Sequence, residues 1–351
     1  MCFRSSIGFP CAVPPHILRA LAERGPAKQR ASALNTMSID STFRAMRAAA
    51  VLHPPAKGLA AGDAVKQRTV YTAGNATSLP GTVVRTEGTG PSGDKAIDEA
   101  YDGLGATYDL FWDVYTRNSI DDEGLALDAT AHYGQAYDNA FWNGQQMVFG
   151  DGDGEIFNRF TISIDVIGHE LTHGVTQDEA QLVYLNQSGA LNESLSDVFG
   201  SLVKQYFRKE DAATADWLIG AGLFMPSVQG VALRSMKAPG TAYDDPVLGK
   251  DPQPAHMSQY VHTMADNGGV HINSGIPNKA FHLTAAAIGG FAWEKAGRIW
   301  YETLRDSKLR PMSGFLRFAR LTVQNAAKLH GSGSAEEGIV RDAWKQVGVN
   351  V

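Results

Sequence analysis

Cysteine is the scarcest chemistry in this sequence: Cys2 and Cys11 are the only two in 351 residues. Everything beyond them is thiol-free, so the main body cannot rest on disulfides, and a transition-metal site there must use histidine and carboxylate ligands. Basic residues do not dominate either. A net charge of −6 gives no electrostatic footprint for nucleic acid or for an anionic membrane surface. No apolar run reaches the roughly 18 residues that a membrane-spanning helix needs, so no membrane span is expected. The opening "MCFRSSIGFPCAVPPHILRA" is broken by Pro10, Pro14 and Pro15 and lacks the continuous apolar core of a secretory signal. Without that signal, cytoplasmic retention and export by a non-standard route both stay open.

What is present fits a folded chain. Hydrophobic residues make up 44% and charged residues 19%, the balance of a soluble globular protein, and the length allows two domains plus an added segment. Residues 14–24, "PPHILRALAER", read as a short helix that begins at proline and stops at Gly25. A polar, alanine-rich stretch follows, and residues 47–63, "RAAAVLHPPAKGLAAGD", read as an exposed linker open to proteolysis. "RTVYTA" and "GTVVRTE" alternate like strands, "DEAYDGLGATYDLFWDVY" has helical spacing, and "QQMVFGDGDGE" is a strand running into a turn. "DGDG" lacks the later spaced carboxylates of an EF-hand, so it reads as a plain turn. After residue 165 helices dominate, expected over 165–179, 188–208, 276–288, 291–305, 313–329 and 335–346.

The chemistry concentrates in "IGHELTHG". His169 and His173, four residues apart on a helix, lie about 40° apart round the axis and about 6 Å apart along it, which suits two nitrogens on one zinc ion. Glu170 sits about 100° further round, beside the metal rather than on it. HExxH alone is short enough to occur by accident, so the third ligand decides the matter. Glu193 in "GALNESLSDVFG" is the candidate, 24 residues beyond His169, after enough chain to turn and start an antiparallel helix. Asp197, four residues on, shares its face and can accept the N–H of a ligand histidine. Three protein ligands leave one position open for water, as in catalytic rather than structural zinc sites, and Glu170 is placed to take that water's proton.

These segments, with "YDNAFWNGQQMVFGDGDG", "DVIGHELTHGVTQ", "YLNQSGALNESLSDVFG", "ALRSM" and "DNGGVHINSGIPNKAF", resemble the thermolysin family of zinc endopeptidases in family order from about residue 68 to 351. "CAVPPHILRALAERG" is similar to the short propeptide of the protealysin-type branch. The resemblance implies an α+β, two-domain fold. A β-rich N-terminal domain and a mainly α-helical C-terminal domain would flank the cleft, with the HExxH helix between them. The expected division is a propeptide at 1–50, a processing linker at 51–67, an N-terminal domain at 68–178 and a helical domain at 179–351.

Roles follow by position. The resemblance implies one catalytic zinc on His169, His173 and Glu193, with Glu170 as general base. His271 and Tyr184 would stabilise the oxyanion, with Asp266 orienting His271. Asn139 and the Ala140 carbonyl would bind extended substrate backbone, and Arg234 a carbonyl on the leaving side. Phe157, Phe160, Val166 and Leu233 would line an apolar pocket, implying cleavage before bulky hydrophobic residues. Protein or peptide substrates are implied, with the chain's own propeptide as intramolecular inhibitor and a monomeric enzyme. Calcium is doubtful, because Asp165 and Asp216 are retained at the family's paired site while Lys204 occupies a ligand position. Leu218, Ala221 and Gly222 stand where other acids would be. The expectation is a salt bridge in place of the ion.

In the precursor, residues near "PPHIL" are expected to occupy the cleft; the rival idea has the Cys11 thiolate on zinc. Two other functions compete: a zinc aminopeptidase, which would need an acidic anchor that is not apparent, and an inert binding protein, which should have lost a ligand or the base.

Overall fold

The computed structural model describes residues 11–50 and 65–351, with side chains described for all of these except 43–50. Most of the processing linker, and the first ten residues, lie outside the described residues.

A five-stranded sheet has the order β2-β1-β3-β5-β4, from β1 (Arg68–Thr72), β2 (Thr82–Thr86), β3 (Leu127–Ala131), β4 (Ala140–Trp142) and β5 (Gln146–Phe149). β1, β3 and β5 run parallel, while β2 and β4 pair antiparallel at the two edges. Buried Leu127, Ala129, Ala131 and Met147 face a core that also takes the apolar side of α3 (Lys95–Asp109). The N-cap of α3 is Asp94, whose carboxylate accepts from the Ala96 and Ile97 amides.

Two long helices form the centre. α4 (Ile164–Glu179) carries the HExxH segment and packs along α5 (Asn186–Arg208), which carries Glu193. Their close approach is set by glycine. A Cβ on Gly200 would lie 2.3 Å from the Asp165 carbonyl oxygen and 2.9 Å from the His169 nitrogen, and one on Gly168 would lie 3.0 Å from Val203. Real Cβ atoms do not approach backbone that closely, so bare Cα atoms bring the two helices together.

The remaining helices are α6 (Asp266–Asn273), α7 (Gly275–Ile288), α8 (Ala296–Leu304), α9 (Phe315–His330) and α10 (Ala335–Gln346). Tyr301 of α8 packs with Phe111, Tyr115 and the α5 residue Phe199, and Trp300 of α8 stacks on Trp344 of α10. α8 begins at Ala296, later than the periodicity suggested, because residues 292–295 form a turn after Gly289 and Gly290, whose φ values of 73° and 68° are left-handed.

The N-terminal segment is also ordered. α1 (Pro15–Arg24) stops at Gly25, as the sequence indicates, and buries Ile17, Leu18 and Leu21. At about 1.5–3 kcal/mol for each large apolar side chain, those three hold α1 to the body of the protein. The polar stretch after it forms a second helix, α2 (Ala27–Ala50), which includes the first four residues of the expected linker. Composition gave little sign of α2, whose contacts to the body combine a few apolar residues (Ala33, Met37 and Ile39) with several polar ones. No helix among the described residues is long and apolar enough to cross a membrane.

Candidate active site and metal centre

The α4–α5 pair gathers the predicted ligands. His169 and His173 Nε2 are 3.1 Å apart. Glu193 Oε2 is 3.6 Å from His169 Nε2, and Glu193 Oε1 is 3.5 Å from His173 Nε2. Bonds of 2.0–2.1 Å in a tetrahedral arrangement place ligand atoms about 3.4 Å from one another, so the three fit zinc.

The hydrogen-bond partners point the same way. His169 Nδ1 faces the Asp197 carboxylate at 2.8 Å, which can only accept. His173 Nδ1 faces Asn192 Oδ1 at 2.8 Å, with the Ser196 hydroxyl at 3.0 Å. With their protons drawn to Nδ1, both rings turn Nε2 lone pairs on each other, and Glu193 Oε2 is buried without a hydrogen-bond partner. Such a donor set is complete only with a cation at its centre.

Asp197 does more than the sequence indicated. It accepts from His169, from the Arg234 guanidinium at 2.8 and 2.9 Å, and from Asn278 Nδ2 at 2.8 Å. Burial would raise its pKa, but Arg234 and His169 hold it well below the usual carboxylate range. Asn192, Ser196 and Asn278 were missed because an Asn or Ser in a helix carries no distinctive signal; only the fold turns them inward.

Glu170 is buried beside the ligands. Its Oε2 accepts the Trp142 amide of edge strand β4 at 3.2 Å, while Oε1 has no partner. Burial first, and then the Glu193 charge, push its pKa up to about 7 against the opposing His169. That is the range of a general base at neutral pH.

Across the cleft, Tyr184 donates a short hydrogen bond to Glu193 Oε1 and lies 3.2 Å from His271 Nε2. Asp266 holds His271 twice: Oδ1 to Nδ1 at 2.6 Å and Oδ2 to the backbone N–H at 2.9 Å. The grip needs a run of left-handed residues, with φ of 52°, 50°, 86° and 75° at Asp266, Asn267, Gly268 and Gly269. Asn and Gly make that run affordable. Gln253, unmarked by sequence, donates to the His271 carbonyl at 2.8 Å. Burial works against a charge on His271, but Asp266 and Glu193 outweigh it and push its pKa up to about 9.

The substrate-side residues meet the N-terminal segment. The Ala12 N–H donates to the Ala140 carbonyl at 3.0 Å, so the segment adds to the β4 edge. The Val13 N–H donates to Asn139 Oδ1 at 2.9 Å, and Arg234 donates to the Ala12 carbonyl at 3.3 Å. Phe157, Phe160, Val166 and Leu233 are buried in the same core as Ala12 and Val13. One expectation needs adjustment. The residues lying along the cleft edge are 12 and 13, ahead of the prolines, because Pro14 and Pro15 cap and start α1. Cys11 packs among Tyr133, Tyr137, Phe141 and Val148, with its thiol 3.7 Å from the Val13 carbonyl. His16 reaches back to the Tyr243 hydroxyl at 2.8 Å; burial, with the charges of His271 and Arg234, pushes its pKa down to about 4.

A second charged cluster lies further along α4 and α5, with Lys204 and Asp165 buried and Asp216 exposed. Lys204 Nζ is 2.7 Å from Asp165, 2.7 Å from Asp216 and 2.6 Å from the Leu218 carbonyl.

An HExxH helix crossed by a carboxylate-bearing helix, below a sheet edge that takes extended backbone, defines a metalloprotease. Family models agree: the thermolysin metallopeptidase catalytic domain matches residues 31–177 and the thermolysin metallopeptidase alpha-helical domain residues 180–349. The chain is 55% identical over 342 residues to an extracellular metalloprotease of Pectobacterium carotovorum subsp. carotovorum, covering 97% of this chain and 96% of that one. It is 43% identical over 289 residues to a thermolysin of Alicyclobacillus acidocaldarius, covering 80% of this chain and 50% of that protein. The solved precursor of protealysin from Serratia proteamaculans superposes with a TM-score of 0.88 at 55% identity, over 97% of this chain and 99% of that one. The chain belongs to the thermolysin family of metallopeptidases.

Proposed function

We propose that this chain is the latent precursor of a zinc endopeptidase that cuts peptide bonds on the N-terminal side of bulky hydrophobic residues. The observation that carries the reading is the Ala12–Val13 segment, which bonds to Ala140, Asn139 and Arg234 beside the metal centre as an extended peptide would. Residues 1–50 are then the propeptide, and the linker at 51–67 is where it is cut. The domains are 68–178 and 179–351. The solved relative is described as a precursor, and relatives are described as extracellular, which supports export of this chain too.

His169, His173 and Glu193 would hold the zinc, which supplies Lewis acidity toward a scissile carbonyl and toward water. Glu170 takes the proton of the attacking water and delivers it to the departing amine. Tyr184 and protonated His271, held by Asp266, donate to the oxygen as it gains charge, and Asp197 fixes the proton of His169 on Nδ1. Asn139 and Ala140 align the peptide, Arg234 holds the carbonyl of its leaving side, and Phe157, Phe160, Val166 and Leu233 take up a large apolar side chain. The Lys204 ammonium stands in for a calcium ion between Asp165 and Asp216; micromolar calcium binding in calorimetry on the mature enzyme would refute that part.

The test is incubation of the purified precursor with zinc, then mass spectrometry of its own fragments and of a peptide library. Cuts within the linker and ahead of Leu, Ile or Phe in the library are expected. An inert protein after the linker has been cut by another protease overturns the reading.

A further inference from the structure

The N-terminal segment grips the body of the protein at two places. The first is the cleft plug of Ala12 and Val13. The second, away from the metal centre, is the face of α2 against residues 135–139. Thr36 Oγ1 accepts the Asp138 amide at 2.9 Å, and Asn35 donates to the Gln135 carbonyl at 3.2 Å. Asp40 accepts from the Tyr137 hydroxyl at 2.6 Å and from Asn139 Nδ2 at 3.0 Å. Asn139 is thereby held at both ends of its amide, Oδ1 by Val13 and Nδ2 by Asp40.

Ser32 makes the unusual contact. Its hydroxyl oxygen lies 2.5 Å from Asp138 Oδ2 and 2.8 Å from the Ala136 carbonyl oxygen. A hydroxyl has one hydrogen and cannot donate to both. If Asp138 itself carries a proton, the geometry closes: Asp138 donates to Ser32, and Ser32 donates to Ala136. The other carboxyl oxygen, Oδ1, is buried with no partner, which a neutral group tolerates far better than a charged one. The charges around it give no compensation. Asp153, on the loop after β5, repels a second negative charge, and this outweighs the hydrogen bond by which its own backbone N–H favours the charged form. Asp40, on α2, is another acid, bonded to the residues on either side of Asp138. The nearby Lys28 cation is already paired with Glu155 at 2.7 Å.

We propose that docking of α2 is proton-linked through Asp138: the precursor holds a neutral carboxyl between α2 and the Tyr137–Asn139 segment, and rising pH loosens this half of the propeptide. The proposal rests on reading residues 11–50 as a propeptide. Burial, with Asp153, pushes the Asp138 pKa up to about 7 in the docked state; undocked and solvated, it returns to about 4. The raised value sits in the docked state, so docking is strongest below about pH 4. It weakens about tenfold per pH unit up to about 7, then levels off. His16 titrates in the opposite sense, because it is kept neutral when docked and gains a proton on release in acid. Release near neutrality therefore belongs to Asp138 and release in acid to His16.

The test uses the full-length, zinc-loaded chain carrying Glu170→Ala, which blocks self-cleavage. Hydrogen–deuterium exchange read by mass spectrometry and corrected for intrinsic rates gives protection factors for the α2 amides from pH 5 to 8. The same chain with Asp138→Asn is the comparison, and the ratio of the two isolates Asp138 from His16. Relative to the Asn chain, α2 protection in the Asp138 chain is expected to fall about 50-fold between pH 5 and 7, while α5 amides stay level. Infrared spectroscopy of the Asp138 chain should show a protonated-carboxyl C=O band at pH 6 that disappears by pH 8.5. Equal slopes in the two chains, or no such band, overturn the proposal. If the Asn chain does not fold, the infrared titration decides alone. Because these measurements read docking and not hydrolysis, failure of the peptidase reading would appear separately, in the peptide-library assay.

Discussion

Along the α4–α5 pair lie two polar clusters that solve the same electrostatic problem in opposite ways. At one, two imidazoles and a carboxylate converge with no cation of the protein's own. At the other, Asp165 and Asp216 close on the Lys204 ammonium. Buried carboxylates need a positive partner in either case. A partner built into the chain is permanent and chemically inert, whereas a borrowed one brings reactivity and can be lost. The first arrangement suits catalysis, the second rigidity.

That contrast can be broken at either end. Glu170→Ala should lower kcat by more than about 10³-fold, because in the proposed mechanism both attack and departure use this carboxyl, while zinc content by atomic absorption stays at one per chain. Lys204→Ala strands two acids, one of them fully buried, and should cost about 3–5 kcal/mol in urea unfolding, with kcat per folded molecule nearly unchanged. Lys204→Met, which keeps the volume, should recover none of the charge pairing but part of the packing. His271→Ala should cost about 10²–10³ in kcat, with little change in KM. It should also erase the alkaline limb of the pH profile. In the proposed mechanism His271 acts when protonated, and its pKa is raised to about 9, so wild-type activity should fall as pH rises through that region, and the Ala variant should show no such fall. The smallest expected effect is that of calcium. Added at millimolar levels, it should leave the wild-type melting temperature within about one degree, whereas Lys204→Glu should gain a calcium-dependent rise.

Much of this site could be read from the sequence, and for a physical reason. Helical spacing alone puts His169 and His173 on one face, and the Glu193–Asp197 pair repeats the same four-residue geometry on the next helix. Those regularities are local, and local patterns survive without coordinates. Asn192, Asn278 and Gln253 were invisible because each acts through a partner distant in the chain. α2 escaped notice for the related reason that much of its hold on the body comes from Ser32, Thr36 and Asp40 reaching residues about 100 positions away. The edge-strand role of Ala140 followed from the family resemblance, but that residues 12 and 13, rather than the prolines, would lie against it required the fold.

Gly200 has a practical consequence for anyone altering this protein. Replacing an interior helical glycine by alanine is a standard way to gain up to about 1 kcal/mol of stability. Here the added methyl would sit 2.3 Å from the oxygen of Asp165 and wedge the helices apart. A stabilising edit elsewhere would become, at this crossing, a way to unmake the metal site without touching a single ligand.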